Sequence, residues 1–219
     1  RQRGEGQHRE QVAQQRVARP IVSGSRCCRL VLLISLGAGV AVALYLRVDH
    51  LQYWTQHPEL FFFGEPALPV MMNPDGYYYM DLANELLYGD YEPVDENRYV
   101  PQGRERPFPP LLSVLLAGGK AVAGIPFEWT ALLLPSVMGL LLAVPVFLFA
   151  RHFGGSWAGA IGAIFSLLAP YYAQRTMLGR FDTDFLNVTF AAGAAYAFMT
   201  FALCERKGLR WVSLLIGVG

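Results

Sequence analysis

Four long apolar runs without a single charged residue constrain this chain more than any other feature. They occupy residues 30–46, 129–150, 153–174 and 185–204. Each approaches or reaches the roughly 17–25 apolar residues that a helix needs to cross the hydrocarbon core of a bilayer. Only 16% of the 219 residues are charged, whereas a soluble globular domain has roughly 25%. The sequence therefore predicts an all-α polytopic membrane protein.

Charge is distributed unevenly along the chain although its net value is only +1. Residues 1–29 contain seven Arg and two Glu, while residues 47–106 are acidic. The basic segment lacks apolar periodicity, which predicts a disordered cytoplasmic tail, and the balance of charge gives no indication of a nucleic-acid partner. The three Cys and four His do not have the spacing of a zinc site.

The distribution of Lys and Arg predicts the topology, because these residues accumulate on the cytoplasmic side of short loops. The first apolar run, 30–46, is read as a retained span, with a signal-peptide core as the alternative. The loop 47–128 is then external, and its apolar part 107–127 is predicted as an interfacial helix because it is interrupted by Pro and Gly. The predicted cytoplasmic segments, with seven, one and three Lys or Arg, are 1–29, 151–156 and 205–210.

Two local patterns refine this organisation. Asn73-Pro74-Asp75-Gly76 is read as a turn, followed by a helix over 77–87 that ends at Gly89. Small residues spaced four apart from Gly155 to Gly162 favour close packing of helices within the chain over dimerisation.

The link between the third and fourth spans, 175–186, contains two carboxylates and two guanidinium groups. Asp182 and Asp184 form a D-x-D pair, which suits a hard divalent cation such as Mg²⁺ or Mn²⁺. Capping of the fourth span is the alternative role for this pair. Arg175 and Arg180 could bind a phosphate-bearing substrate or orient the carboxylates, because guanidinium binds both oxyanions bidentately.

Asp75, in the external loop, is the third candidate carboxylate. On residue type alone it is an ordinary turn or N-cap aspartate. The predicted topology, however, places it on the same side as the D-x-D link. Asp75, Asp182 and Asp184 are therefore predicted to share one metal ion.

The sequence around these residues resembles the oligosaccharyltransferase catalytic subunit family, and in particular its bacterial single-subunit form. The likeness rests on the segment from Asn73 to Tyr79 and on the Arg175-Thr-Met-x-Gly-x-x-Asp-x-Asp184 run. It implies a glycosyltransferase of the C-type fold that moves an oligosaccharide from a polyprenyl-diphosphate lipid to asparagine in an Asn-x-Ser/Thr acceptor. The implied location is the bacterial inner membrane, with the site on the periplasmic or extracytoplasmic face.

The resemblance also implies roles for the candidate residues. Asp75 would bind the metal and contact the acceptor amide, Asp182 would be a direct metal ligand, and Asp184 would lie on or just behind the metal. Arg175 would orient carboxylates or phosphate. The later glutamate and the Trp-Trp-Asp motif of the family have no counterpart here, and the predicted fifth span, 211–219, is short. The chain is therefore expected to be an N-terminal fragment that is inactive alone.

Two other functions remain open at this point. Another C-type membrane glycosyltransferase would share the acid of the first loop, but it is not expected to have the Arg-Thr-Met run. An ion-coupled transporter would be expected to place its acids within spans or broken helices. Asp182 and Asp184 instead lie between spans, which favours the transferase.

Overall fold

The computed structural model describes residues 26–95 and 100–203. Its helices are α1 (Arg26–Val48), α2 (His50–Gln56), α3 (Pro58–Phe61), α4 (Pro74–Tyr88), α5 (Leu111–Ala123), α6 (Phe127–Met138), α7 (Ala143–Leu168), α8 (Pro170–Arg175) and α9 (Asp184–Leu203), with a 3₁₀ segment at Gly139–Leu142. Its strands are β1 (Phe62–Phe63), β2 (Leu68–Pro69), β3 (Val94–Asp95) and β4 (Arg104–Glu105). Pairing is antiparallel, β1 with β2 and β3 with β4.

The described chain is mostly helical, which confirms the predicted all-α class. Three of its helical stretches are long and apolar enough to cross a membrane: Arg26–Gln56, Phe127–Leu168 and Asp184–Leu203. The chain is a multi-pass membrane protein. Residues 1–25 of the predicted tail, the predicted loop 205–210 and the short fifth span lie outside the described residues.

The stretch Phe127–Leu168 reverses direction at Gly155 and is not one rod. Gly155 has φ 75° and ψ −173°, a backbone conformation that residues with a side chain rarely adopt. A Cβ added at Gly159 would lie 2.8 Å from the carbonyl oxygen of Phe147, and one at Gly162 would lie 3.1 Å from the Cβ of Ala150. Residues before and after the turn are therefore in contact, and they form an antiparallel pair over the region in which the sequence predicts spans 129–150 and 153–174.

The small residues of this pair explain how closely its two halves approach. Gly159 and Gly162 face atoms of residues that precede the turn, the Phe147 carbonyl oxygen and the Ala150 Cβ. In lipid there is no hydrophobic driving force between helices, so the van der Waals packing that this close approach allows stabilises the pair instead.

Helix α5 lies within the segment 107–127. Its 13 residues extend about 20 Å at 1.5 Å per residue, which is less than the roughly 30 Å of a bilayer core. Its buried residues Leu112 and Leu116 join a core cluster that also contains Trp54 and Phe181. This cluster ties the first loop to the link between α8 and α9.

Helix α4 starts earlier than the sequence pattern predicts. Asn73 is its N-cap and Pro74 occupies the first helical turn, so the segment read as a separate turn belongs to the helix start. The physical reason is that proline lacks the N–H that a first helical position leaves unpaired, and its φ already suits a helix. Gly89 ends α4 with φ 82°, as predicted.

Candidate active site

The link between α8 and α9 is held in place by backbone hydrogen bonds to three other segments. The N–H of Leu178 donates to the carbonyl of Arg47 at 3.0 Å, and that of Gly179 donates to the carbonyl of Leu132 at 3.0 Å. The N–H of Met72 in turn donates to the carbonyl of Gly179 at 3.0 Å. The link is thereby fixed to α1, to α6 and to the segment just before α4.

Gly179 is required at its position in the link for two reasons. Its φ is 73°, which disfavours a residue with a side chain. An added Cβ would also lie 2.9 Å from Cη2 of the buried Trp54, a ring that stacks on Phe61 with centroids 4.6 Å apart. The stacked rings of Trp54 and Phe61 therefore leave the link room only for a glycine at this position.

Arg47 is fully buried near the end of α1 and forms hydrogen bonds that hold the same link in place. Its guanidinium donates to Thr176 Oγ1 at 2.8 Å, to the Ala43 carbonyl at 2.8 Å and to the Leu167 carbonyl at 2.9 Å. Thr176 Oγ1 itself donates to the carbonyl of Tyr172. One side chain thus joins α1, the end of α7 and the first residue of the link.

The two acidic segments meet at Asn73. Its Nδ2 donates to Asp182 Oδ2 at 3.2 Å, and its Oδ1 accepts from the N–H of Asp75 at 3.1 Å. Asp182 Oδ1 also accepts from the N–H of Thr183. The first loop and the D-x-D link are therefore in direct contact.

Tyr79 of α4 lies in the negative field of both carboxylates. Burial raises the pKa of the Tyr79 phenol above its ordinary value, and the negative charges of Asp182 and Asp75 raise it further. Its ring also contacts Phe181 edge-on, with centroids 5.9 Å apart. Asp75 is exposed and Asp182 is half-buried, so both carboxylates remain accessible to solvent.

Asp184 points to a different partner. Its Oδ2 lies 3.0 Å from Nη1 of Arg175, and both side chains are half-exposed. The Arg175 guanidinium also lies over the ring of Tyr171, 5.2 Å from its centroid. Hydrogen bonding to Tyr171 raises the pKa of Arg175, and the charge of Asp184 adds to this effect.

A largely apolar cavity of about 490 Å³ adjoins the Arg175–Asp184 ion pair. Its walls come from the start of α7, the end of the α7–α8 segment and the start of α9. Apolar residues that line it include Leu142, Val146, Val188 and Ala192. The cavity therefore combines an apolar wall with a charged mouth.

The comparison with known families matches most of the chain. The family described as "Oligosaccharyl transferase STT3, N-terminal" matches residues 41–217, which include both acidic segments. The chain belongs to the STT3 oligosaccharyl transferase family. This confirms the resemblance seen in the sequence.

Two relatives illustrate the likeness. An undecaprenyl-diphosphooligosaccharide–protein glycotransferase of Campylobacter jejuni is 24% identical over 136 residues, which cover 62% of this chain and 18% of the relative. A dolichyl-phosphooligosaccharide–protein glycotransferase of Methanocaldococcus jannaschii is 28% identical over 138 residues, which cover 52% of this chain and 14% of the relative. The matched region thus spans less than a fifth of each relative.

The structure brings some of the predicted STT3 site residues together and separates others. Asn73 contacts the backbone N–H of Asp75 and the carboxylate of Asp182, while Asp184 pairs with Arg175. Arg180 is half-buried, and within the described part of the chain its buried Nε has no hydrogen-bond acceptor.

The donor chemistry fits a hard divalent cation only in part. Carboxylate oxygens are the ligands that Mg²⁺ and Mn²⁺ prefer. In residues 26–95 and 100–203, however, no three His, Cys, Asp or Glu side chains form a group that could hold a metal ion. A metal shared by all three aspartates stays a prediction.

Sequence reasoning missed Asn73 and Arg47 as parts of the site. Asn before Pro at the start of an apolar periodic segment is a recognisable N-cap signal, and a lone Arg at the end of a span is a signal of function in membranes. The contacts of these residues with Asp182 and Thr176 have no signature in the sequence, because they join positions more than a hundred residues apart.

Proposed function

We propose that the complete gene product is an oligosaccharyltransferase of protein N-glycosylation. It moves an oligosaccharide from a polyprenyl-diphosphate lipid to the side-chain nitrogen of asparagine in Asn-x-Ser/Thr acceptors. The observation that carries this proposal is the contact between the two acidic segments, through Asn73 and Asp182 and through Met72 and Gly179. Family membership and the names of the two relatives support the same chemistry.

The proposed reaction forms a bond between the acceptor amide nitrogen and C1 of the first sugar, breaks the bond between C1 and the diphosphate oxygen, and passes the proton lost by the amide nitrogen to the leaving diphosphate. Asp75, on the exposed start of α4, contacts the acceptor amide. Arg175, at the charged mouth of the apolar cavity, binds a diphosphate oxygen, because guanidinium is a bidentate partner for oxyanions. The apolar wall of the cavity accommodates the adjoining prenyl chain.

We propose that Asp75 and Asp182 hold Mg²⁺ or Mn²⁺ and that Asp184 stands behind them, oriented by Arg175. Such an ion would neutralise the charge that develops on the leaving diphosphate. A further carboxylate from outside the described residues would complete the ligand set, since no three carboxylates of the described residues form a group that could hold a metal ion.

The proposal also assigns a location and an architecture. The site faces the side opposite to the Gly155 turn, which is the extracytoplasmic side when the basic segments are cytoplasmic. In a bacterium this is the periplasmic face of the inner membrane. The helical arrangement is that of the N-terminal part of a C-type glycosyltransferase.

Substitutions of Asp by Asn, which remove a charge and keep the shape of the side chain, test this function in the complete gene product reconstituted in proteoliposomes. We expect Asp75→Asn and Asp182→Asn each to lower the rate of glycopeptide formation about 10²–10³-fold, the usual loss for one preorganised transition-state group. Arg175→Ala is expected to lower the rate as well, because it leaves Asp184 or the diphosphate unpaired.

The matched control is Asp81→Asn, which removes an exposed carboxylate from the same helix as Asp75. It should retain the wild-type transfer rate. The Tm of the three Asp→Asn variants should stay near that of the wild type, because Asn has almost the same shape as Asp and keeps an oxygen acceptor. Transfer near the wild-type rate in Asp75→Asn and Asp182→Asn would refute the assignment of the site.

A further inference from the structure

We propose that the side-chain amide of Asn73 is a positioning residue that sets Asp182 relative to Asp75. This inference rests on the proposed function and extends it to an uncharged residue of the first acidic segment. One planar group makes both contacts: it caps the helix that carries Asp75 and donates a hydrogen bond to Asp182 in the link.

The orientation of the Asn73 amide follows from its two neighbours. The N–H of Asp75 is a donor and needs the amide oxygen, while the Asp182 carboxylate is an acceptor and needs the amide nitrogen. The opposite orientation would place two donors together on one side and two acceptors on the other. Both contacts therefore select the same orientation, and they fix the side chain between the two segments.

Asp182 is held through both of its oxygens. Oδ2 accepts from Asn73 at 3.2 Å, and Oδ1 accepts from the N–H of Thr183 in its own segment. The Thr183 contact is local, so it fixes the carboxylate only relative to the link. Of these two contacts, only the one with Asn73 fixes the carboxylate relative to the first loop.

The backbone around Asn73 has supports of its own. The N–H of Met72 donates to the Gly179 carbonyl, and the N–H of Gly76 donates to the Asn73 carbonyl. The N–H of Met71 donates to the hydroxyl of Tyr77. A changed side chain at position 73 would therefore alter the contact to Asp182 while the main chain keeps its place.

Capping alone does not explain an amide at this position. An N-cap needs only an acceptor, and Asn, Asp and Ser provide it about equally well. The side-chain NH₂ of Asn73 is a donor that capping does not require, and it donates to the Asp182 carboxylate. Substitutions that keep the acceptor and remove the donor therefore separate a positioning role from a capping role.

The test compares Asn73→Asp and Asn73→Ser in the complete gene product. Asn73→Asp keeps the shape and the cap, and Asn73→Ser keeps the cap without adding charge. We expect each to lower the kcat of transfer about 10–100-fold, as for other groups that orient a carboxylate ligand. The KM for the acceptor peptide should stay within about twofold of the wild-type value, because no acceptor-binding group is removed.

A double-mutant cycle measured by thermal unfolding gives a result that does not depend on transfer activity. Asn73→Ser should lower the Tm of the wild-type protein by about 1 °C, the effect of one net hydrogen bond in a protein several times longer than this chain. The same substitution should leave the Tm unchanged in an Asp182→Ala background, where the acceptor is already absent. Non-additivity of this kind is the signature of a direct interaction.

The two proposals fail in different ways. Wild-type kcat in both Asn73 variants, or equal Tm shifts in the two backgrounds, would overturn the positioning role. Absence of transfer in the wild-type protein would overturn the proposed function, and the double-mutant cycle would still decide whether Asn73 and Asp182 are coupled.

Discussion

Arg47 shows how one buried cation can hold several segments of a membrane protein together. The guanidinium donates to a hydroxyl and to two carbonyls that belong to three separate segments. A buried charge is tolerated when such polar partners replace the lost water. Because the Arg47 carbonyl also accepts from Leu178, both the side chain and the backbone of this residue support the link.

We expect Arg47→Met to lower the free energy of unfolding by about 3 kcal/mol, since hydrogen bonds that involve a charged group contribute about 1.5–3 kcal/mol each and methionine leaves their partners unpaired. Unfolding in detergent, followed by circular dichroism, measures the change. Arg151→Met is the control, because Arg151 is exposed and surface substitutions usually change stability by less than about 0.5 kcal/mol. Equal stability of the two variants would contradict the role assigned to Arg47.

At the scale of elements, the glycines of the long helices differ in how closely other atoms surround them. A Cβ at Gly159 would meet the Phe147 carbonyl oxygen at 2.8 Å, whereas a Cβ at Gly193 on α9 has no heavy atom within 4 Å. The first glycine lies inside a helix contact, and the second lies on an open surface.

We expect Gly159→Ala to destabilise the protein by about 1–3 kcal/mol, the usual cost of overpacking. Gly193→Ala should cost nothing and should stabilise by up to about 1 kcal/mol, because alanine loses less backbone entropy than glycine in a helix. Resistance to SDS or urea unfolding, measured side by side, tests the difference. A larger loss in Gly193→Ala than in Gly159→Ala would show that the packing of α7 is misassigned.

Those parts of the structure that depend on local chemistry could be predicted from the sequence. The all-α class follows from charge-free runs, and the end of α4 follows from Gly89. The start of α4 was misplaced because Asn-Pro-Asp-Gly suits a turn and a capped helix equally well. The pairing of Asp184 with Arg175 rather than with Asp75 could not be predicted, because it depends on the path of the link around Gly179 and Trp54.

At the scale of the whole molecule, the contact between the first loop and the link requires both to emerge on the same side of the membrane. After replacement of the native cysteines by serine, cysteines introduced at Gly89 and Thr183 should both react with an impermeant maleimide added from the extracytoplasmic side. A cysteine at Ser156, next to the Gly155 turn, should react only from the opposite side. Labelling of positions 89 and 183 from different sides would exclude the contact.

The distance along the chain between Asn73 and Asp182, 109 residues, has a consequence for biosynthesis. A ribosome adds roughly 5–20 residues per second, so α4 exists for about 5–20 s before its partner carboxylate has been made. During that interval the helix has its cap but the acidic segments cannot meet. A nascent chain halted before residue 182 would therefore expose Asp75 alone, and the candidate site can form only after translation has passed the D-x-D link.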